Sequence, residues 1–479
     1  MTAEPNAGSG AERGTDRERR PRSLADNGPI VVVGGGQAGS LMTLYLARQG
    51  HQVHVLESRP DLRRVDIDAG KSINLALATR GIVPLKEVGV YERVEPILVP
   101  MAGRMVHETD GDSGLQRYGL SDDDVIHAVS RSDLNAILLD AAEATGNVRI
   151  SFDVRCREID FTNRLLTVTD YADGERASTV PFGTLFGCDG ASSEVRDAML
   201  AVNGGTSISD PLGHGYKELN IAAGPGRSFQ IEPNALHIWP RGEFMLIALA
   251  NPEGDFTVTL FMPNEGGEDS FAALQTADDV ERFFKREFPD FVPLVPDLAE
   301  QFFDNPTGLL STIRNTGWSV GADAVLVGDA AHAIVPFHGQ GMNLGMESCR
   351  LLDRIIREHP DDLEVAFERY ETDRKPDAEA IADMALENYV EMRSGVVDPS
   401  YLIKRELALE MERRFPDKIA ARYGMVMFST RRYAEVKKRA ERQNEIFAEL
   451  TAGVETIDRV DFDRAAELVS RLSPLPAPI

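Results

Sequence analysis

The sequence predicts an α/β fold built from a parallel nucleotide-binding sheet, an antiparallel-sheet module and a helical C-terminal region. Three observations carry this. A β-branched run, Ile30 to Val33, enters Gly34-Gly35-Gly36-Gln37-Ala38-Gly39 directly. A strand-rich stretch from about Tyr216 to Met262 is punctuated by the turn signals Arg241-Gly242-Glu243 and Glu253-Gly254-Asp255. After Pro376 the apolar residues fall at helical spacing almost to the end.

Each element follows from its local pattern. Ile30–Val33 reads as a buried parallel strand, Ser40 to Gln49 as a helix ending at Gly50, and Val53 to Leu56 as the next strand, closing at Glu57. Such a βαβ opening gives the glycine run its meaning. Val125 to Val129 and Ser132 to Ala142 read as strand and helix. Val148–Phe152, Leu166–Thr169 and Thr184–Phe186 read as further strands. In the second module, Leu236–Trp239, Phe244–Leu249 and Phe256–Phe261 are antiparallel strands. Val280 to Glu287 is a helix, and Ala324 to Val327 a short buried strand before Gly328-Asp329. Ile381–Met392, Tyr401–Arg413 and Arg432–Leu450 are amphipathic helices.

The expected organisation is a disordered tail over 1–28, rich in small and charged residues. A discontinuous nucleotide-binding domain of the Rossmann-like, glutathione-reductase type spans 29–103, 119–205 and 306–375. An antiparallel-sheet substrate domain takes 104–118 and 206–305, and a helical region over 376–479 closes the substrate pocket. Lys plus Arg number 51 and Asp plus Glu 77, a formal net charge of −26. That balance argues against nucleic acid and against an anionic membrane surface as partners. No apolar run reaches bilayer length and the first residues lack a signal-peptide core, so a cytoplasmic protein is expected. Cys156, Cys188 and Cys349 show no paired spacing, which fits a reducing compartment and leaves no expectation of a metal site.

Three motifs point to chemistry. In the first, Gly34 permits the tight turn, Gly36 lets the backbone approach a pyrophosphate, and Gly39 allows helix and strand to pack closely. Glu57 lies 23 residues after Gly34, placed to accept hydrogen bonds from an adenosine ribose. The second is Gly187-Cys188-Asp189-Gly190-Ala191, in which Asp189 can fix a sharp turn beside the cofactor. The third is Gly328-Asp329-Ala330-Ala331-His332, in which Asp329 can accept a hydrogen bond from a ribityl chain. It leads through Pro336-Phe337-His338-Gly339-Gln340-Gly341-Met342-Asn343 into a helix. Backbone N–H groups there suit the pyrimidine edge of a flavin, and the helix N-terminus favours negative charge on it. In this order the three motifs indicate FAD.

These residues resemble the single-component FAD-dependent aromatic hydroxylases and, within them, the kynurenine 3-monooxygenase family, from about Ile30 to Tyr433. The resemblance rests on Lys71-Ser72-Ile73-Asn74-Leu75-Ala76-Leu77, Leu236-His237-Ile238-Trp239-Pro240-Arg241, Leu260-Phe261-Met262-Pro263, the Gly328–Asn343 run and Asn388-Tyr389-Val390-Glu391-Met392-Arg393. It implies that Glu57, Arg59, Ala76, Arg131, Asp329, Met342 and Asn343 contact the flavin cofactor. It also implies that Arg104, Tyr118, Asn388 and Tyr423 recognise the carboxylate and amine of L-kynurenine. Arg104 offers a fork of donors suited to a carboxylate. Glu391, three residues beyond Asn388, falls on the same helical face and can meet an ammonium.

The implied reaction converts L-kynurenine to 3-hydroxykynurenine through a flavin C4a-hydroperoxide, with molecular oxygen as co-substrate. NADPH is a transient reductant, since no second dinucleotide fingerprint appears. No general base is assigned, and His332 and His338 read as hydrogen-bonding spacers. The same chemistry on a related arylamine or phenolic acid is the alternative. A halogenase is disfavoured, because Trp239 and Trp318 are not paired. The sequence departs from membrane-bound relatives in lacking an apolar C-terminal helix, and its loop 109–117 is divergent.

Overall fold

The computed structural model describes residues 22–65, 74–393, 399–454 and 456–478. Lys71, Ser72 and Ile73 of the first family string, and residues 1–21 of the expected tail, lie outside that range.

The glycine-bearing strand Ile30–Val33 sits inside a six-stranded sheet, between Thr184–Gly187 and Val53–Leu56. Both neighbours run parallel to it, in register from Ile30↔Thr184 and Ile30↔Val53. All four residues are buried, as a central parallel strand requires. Val148–Ser151 flanks Val53–Leu56, while Ala324–Leu326 and Ser319–Val320 extend the other edge. The three motif glycine runs therefore leave the sheet at neighbouring strand ends, where ligands of open α/β sheets collect.

A seven-stranded sheet forms the second layer, in the order Thr307–Asn315, Ser207–Ile221, Phe256–Pro263, Phe244–Ala250, Leu236–Arg241, Gly103–His107, Ser113–Arg117. Its pairings are antiparallel except Leu236–Arg241 with Gly103–His107. Side-chain alternation splits its faces. Arg104, Leu236, Ile247 and Phe261 face the nucleotide-binding layer, while His107, His237 and Trp239 face the Ala277–Glu287 side with Phe291. On that outer face His107 bridges Asp290 (2.9 Å) and His237 (2.8 Å), which fixes the edge next to Arg104.

Several element bounds differ from those the sequence suggests. The meander Val154–Asp160, Leu165–Asp170, Arg176–Pro181 contains two strands that went unread, the first and the third, of which the third is exposed along most of its length. The expected boundary at 375/376 falls inside one 31-residue helix, Leu363–Arg393, which carries Pro376 in its interior. Proline there removes one backbone hydrogen bond, and the helix continues because its flanking residues Arg374, Asp377, Ala378 and Ile381 are buried. Residues 22–28, expected within the disordered tail, are packed. Leu24 is buried, and Asn27 Nδ2 donates to the Gly183 and Ala322 carbonyls at 2.8 and 2.9 Å. The Pro-rich C-terminal stretch is docked too: Arg431 Nε donates to the Pro476 carbonyl and Leu475 N to that of Asp417. Among the described residues no helix is long and apolar enough to cross a membrane.

The C-terminal helices are held down by a buried charge cluster. Glu347 Oε1 accepts from Arg80 at 2.8 Å, and Arg374 Nη1 lies 2.8 Å from Oε2, an ion-pair contact outside hydrogen-bond geometry. Arg80 also donates to the carbonyls of Val426 and Arg431 and lies 3.8 Å from the Tyr433 ring centroid. Arg80, Glu347 and Arg374 are essentially solvent-free. Glu347→Ala leaves the buried Arg80 without a carboxylate and Arg374 with only Asp377 at 3.9 Å, and a loss of about 3–5 kcal/mol is expected. It is read as a fall in the denaturant midpoint, with earlier proteolysis in 399–478.

Candidate active site

Three cavities form a continuous channel between the layers. The first, about 330 Å³, is lined by Gly35, Gly36, Glu57, Arg59 and Arg131. It shares Gly36, Gln37, Arg131 and Glu218 with a central cavity of about 470 Å³. That cavity in turn shares Arg104, His338 and Tyr423 with a third, of about 480 Å³.

The first two fit FAD on their own features. A Cβ at Gly34 would lie 2.4 Å from the Cys188 carbonyl, and one at Gly39 would lie 1.9 Å from the Gly34 carbonyl, so both positions need glycine. Gly34 also has φ +98°, which disfavours other residues. Gly36 precedes the Gln37–Arg48 helix and supplies no side-chain cap, so the first-turn N–H groups are open to a phosphate. Glu57 accepts from Gly35 N at 2.6 Å and from Arg59 N and Nε at 2.9 and 2.8 Å. Burial pushes its pKa up, but the Arg59 and Gly35 hydrogen bonds bring it below the usual range, so it stays ionised. The Asp329 carboxylate opens onto the central cavity and makes no hydrogen bond among the described residues. Burial by the surrounding protein raises its pKa, against the pull of Arg131. An unpartnered acceptor in that position suits a polyol hydroxyl. Ala76 and Met342 line the same cavity.

Two residues grouped with the cofactor turn their side chains to the protein: Asp189 fixes its own turn, as the sequence suggests, and Asn343 departs from the flavin contact expected of it. Asp189 turns into its own loop, accepting from Ser193 Oγ at 2.5 Å and Val195 N at 3.1 Å. Gly190 faces the cavity in its place. The Asn343 side chain is also committed: it accepts from Ala78 N at 2.9 Å and donates to the carbonyls of Ala76 and Gly339, each at 2.8 Å. It braces the floor of the cavity, leaving only its backbone at the N-terminus of the Gly341–Glu358 helix.

The four expected substrate residues come together from three parts of the chain. Arg104 projects from Gly103–His107, Asn388 from Leu363–Arg393 and Tyr423 from Arg422–Met427, while Tyr118 follows Ser113–Arg117. Tyr118 and Tyr423 stack at 4.7 Å between centroids, and Arg104 lies 5.0 Å from the Tyr423 ring. Arg104 reaches Glu391 Oε1 at 3.2 Å and Asn388 Oδ1 at 3.4 Å. Burial alone would lower the Arg104 pKa; the Glu391 carboxylate outweighs it, and the guanidinium stays charged. Arg104 Nε and the Tyr118 hydroxyl are buried with no partner in hydrogen-bond geometry. Donors left idle beside a cavity are what an anionic ligand group satisfies. Asn388 Nδ2 is taken by the Phe337 carbonyl at 2.6 Å, so only Oδ1 faces Arg104. Glu391 also accepts from Tyr401 (2.8 Å) and Arg422 (3.3 Å).

One part of this wall differs from the sequence reading, in which His338 is a hydrogen-bonding spacer. His338 lines both larger cavities, stacks on Tyr423 at 5.4 Å, and has both ring nitrogens buried without a partner. Tyr401 went unassigned. The apolar slot of Leu236, Ile247, Phe261, Phe337 and Met392 was legible in principle from the strand alternation that also exposes Arg104. Among the described residues no three His, Cys, Asp or Glu side chains cluster as a metal site.

Burial, helped by Arg422, pushes the His338 pKa down to about 3. An unfolded histidine titrates near 6.5. Between those values the unfolded chain binds the extra proton, so stability falls as pH drops below about 6.5. At pH 5 this costs about 2 kcal/mol. Replacing His338 by Gln should flatten that part of the stability profile, measured as unfolding midpoints at pH 7.5 and 5.

The FAD binding domain family matches residues 28–223 and 310–385. A kynurenine 3-monooxygenase of Myxococcus xanthus (strain DK1622) is 47% identical over 453 residues, covering 94% of this chain and 97% of that protein. Another, of Stenotrophomonas maltophilia (strain K279a), is 46% identical over 436 residues, 90% and 94% of the two chains. Among solved structures, tetrameric 2-methyl-3-hydroxypyridine-5-carboxylic acid oxygenase matches with a TM-score of 0.62 at 20% identity, over 78% of this chain and 95% of that one. PqsL of P. aeruginosa in complex with 2-aminobenzoylacetate matches at 0.61 and 18%, over 76% and 96%. These two share the fold. The motif spacing, the channel fitted to FAD and the near full-length identity lead to one conclusion: the chain belongs to the kynurenine 3-monooxygenase family of FAD-binding proteins.

Proposed function

We propose that this protein hydroxylates L-kynurenine to 3-hydroxykynurenine, consuming NADPH and molecular oxygen on bound FAD. One observation supports the substrate most directly: a charged, buried Arg104 with an idle Nε stands beside the idle Tyr118 hydroxyl at the end of an apolar slot. A zwitterionic amino acid bearing an aromatic ring matches that sequence of surfaces.

FAD, when bound, supplies the oxygen-activating chemistry. Glu57 and Arg59 hold its adenosine end, and Gly36, Gln37 and Arg131 the diphosphate. Asp329 accepts from the ribityl chain, while Ala76, Met342 and the backbone around Gly341 flank the ring system. At the substrate, Arg104 and Tyr118 donate to the carboxylate. Asn388 Oδ1 and Glu391 offer acceptors to the ammonium, and Tyr423 walls the head group. Leu236, Ile247, Phe261, Phe337 and Met392 exclude water and fix the ring. An arylamine is electron-rich enough to be attacked without losing a proton, so no base is required. His338 is held neutral by burial and serves as a wall.

Arg104→Ala should retain FAD, read as an unchanged flavin spectrum, and lose kynurenine-stimulated NADPH oxidation by at least about 100-fold, the ~3 kcal/mol of a charged hydrogen-bond anchor. Normal turnover by that variant would remove the carboxylate anchor from the account.

A further inference from the structure

The third cavity holds the head-group residues Tyr118, Asn388 and Glu391 at its inner end and extends outward past them into a part that the reaction as proposed leaves unused. It opens behind the wall of Arg104, His338 and Tyr423, between the helices Pro399–Arg414 and Tyr433–Thr451. Its volume, about 480 Å³, is that of a small-molecule site. Its charge is unusual for this chain. Five cations line it, Arg104, Arg117, Lys404, Arg405 and Arg422, against one carboxylate, Glu391. The chain as a whole carries −26.

Three of those cations are committed. Arg104 and Arg422 share Glu391, and Arg117 pairs with Asp122. Lys404 and Arg405 are not. Lys404 makes no ion pair or hydrogen bond among the described residues. Arg405 Nη2 donates only to the Arg117 carbonyl at 2.6 Å and meets no carboxylate. Arg405 is partly buried, and both burial and the nearby Arg104 charge disfavour its protonated form. Glu391 and Tyr401 offset this only in part, and the Glu391 oxygens already take Arg104, Arg422 and Tyr401. Two unpaired cations on one turn of helix, next to the wall that carries Arg104, form a positive path leading to the head-group site.

We infer that this chamber is a carboxylate-docking vestibule, in which Lys404 and Arg405 capture the carboxylate of an incoming aromatic amino acid and pass it to Arg104. The inference rests on the kynurenine reading above and extends that site outward. In a chain whose overall field repels anions, a local cationic funnel would restore the encounter rate of the carboxylate end.

The test is rapid mixing of holoenzyme with L-kynurenine, without NADPH, following the flavin absorbance change on binding. In wild type the association rate should fall as salt is raised, because exposed charges are screened. Lys404→Glu and Arg405→Gln should each slow association about 3–10-fold at low ionic strength, with the gap closing toward high salt. Dissociation and the KM for NADPH should stay unchanged. Arg176→Glu, which makes the same type of charge change on the exposed Arg176–Pro181 strand, should not alter the rate. Unaltered association in both vestibule variants overturns the inference while leaving the functional reading intact. So does an effect confined to the KM for NADPH, which would give the chamber to the reductant. A wild-type protein that neither binds nor hydroxylates kynurenine overturns the functional reading itself, and the vestibule with it.

Discussion

The active-site cleft depends on a buried ionic clamp. Arg80, on the helix Thr79–Glu87 that follows the strand Asn74–Leu77, and Arg374, on the long C-terminal helix, meet Glu347 on the helix whose N-terminus faces the flavin cavity. Tyr433 covers Arg80, and Asp377 accepts from Arg432 and from Ala434 N. Buried charges are costly to desolvate and are tolerated when fully paired. Here the pairing joins the flavin layer to the helices that carry Asn388, Glu391 and Tyr423. The distances at the head-group site are therefore set by contacts remote from it.

The second constraint is alternation in the antiparallel sheet. A strand shows opposite faces at successive residues, so placing Arg104 toward the flavin layer forces its neighbours Gly103 and Met105 away from it. The same parity lines Leu236, Ile247 and Phe261 along the slot and sends His237 and Trp239 to the outer face. The outer face is then braced through Asp290, His107 and His237. Water exclusion and head-group recognition arise from a single sheet register.

Much of this was legible in the sequence where local chemistry decides structure. Gly34 and Gly39 have only one tolerable reading, because a Cβ at either strikes a backbone carbonyl. The strand Val53–Leu56 and the run into Gly341–Glu358 follow from period and turn residues. The gathering of Arg104, Tyr118, Asn388 and Tyr423 came from resemblance, since residues that far apart in sequence carry no local signal of contact. Asp189 fixes its own turn, as read from the sequence, while the Asn343 side chain, expected at the flavin, is committed to backbone groups of the protein. An Asp before a glycine and an Asn at a helix start point equally well to a ligand or to their own loop, and only the tertiary hydrogen bonds decide. Pro376 suggested a boundary, but a buried helix outweighs one missing hydrogen bond. The packed segments 22–28 and 471–478 were hidden by polar and Pro-rich composition: only single leucines, among them Leu24 and Leu475, pack on the core, and hydrogen bonds involving backbone carbonyls supply the rest.

The central claim is that an amino acid with an aniline ring lies in the apolar slot, anchored at Arg104 and turned toward the flavin. Mass analysis of the product formed by purified yellow protein from L-kynurenine, NADPH and air measures this directly. The account predicts a product heavier by one oxygen atom that co-elutes with 3-hydroxykynurenine, in amounts matching the NADPH consumed. NADPH oxidation with hydrogen peroxide as the only product, or no response to kynurenine, would contradict it.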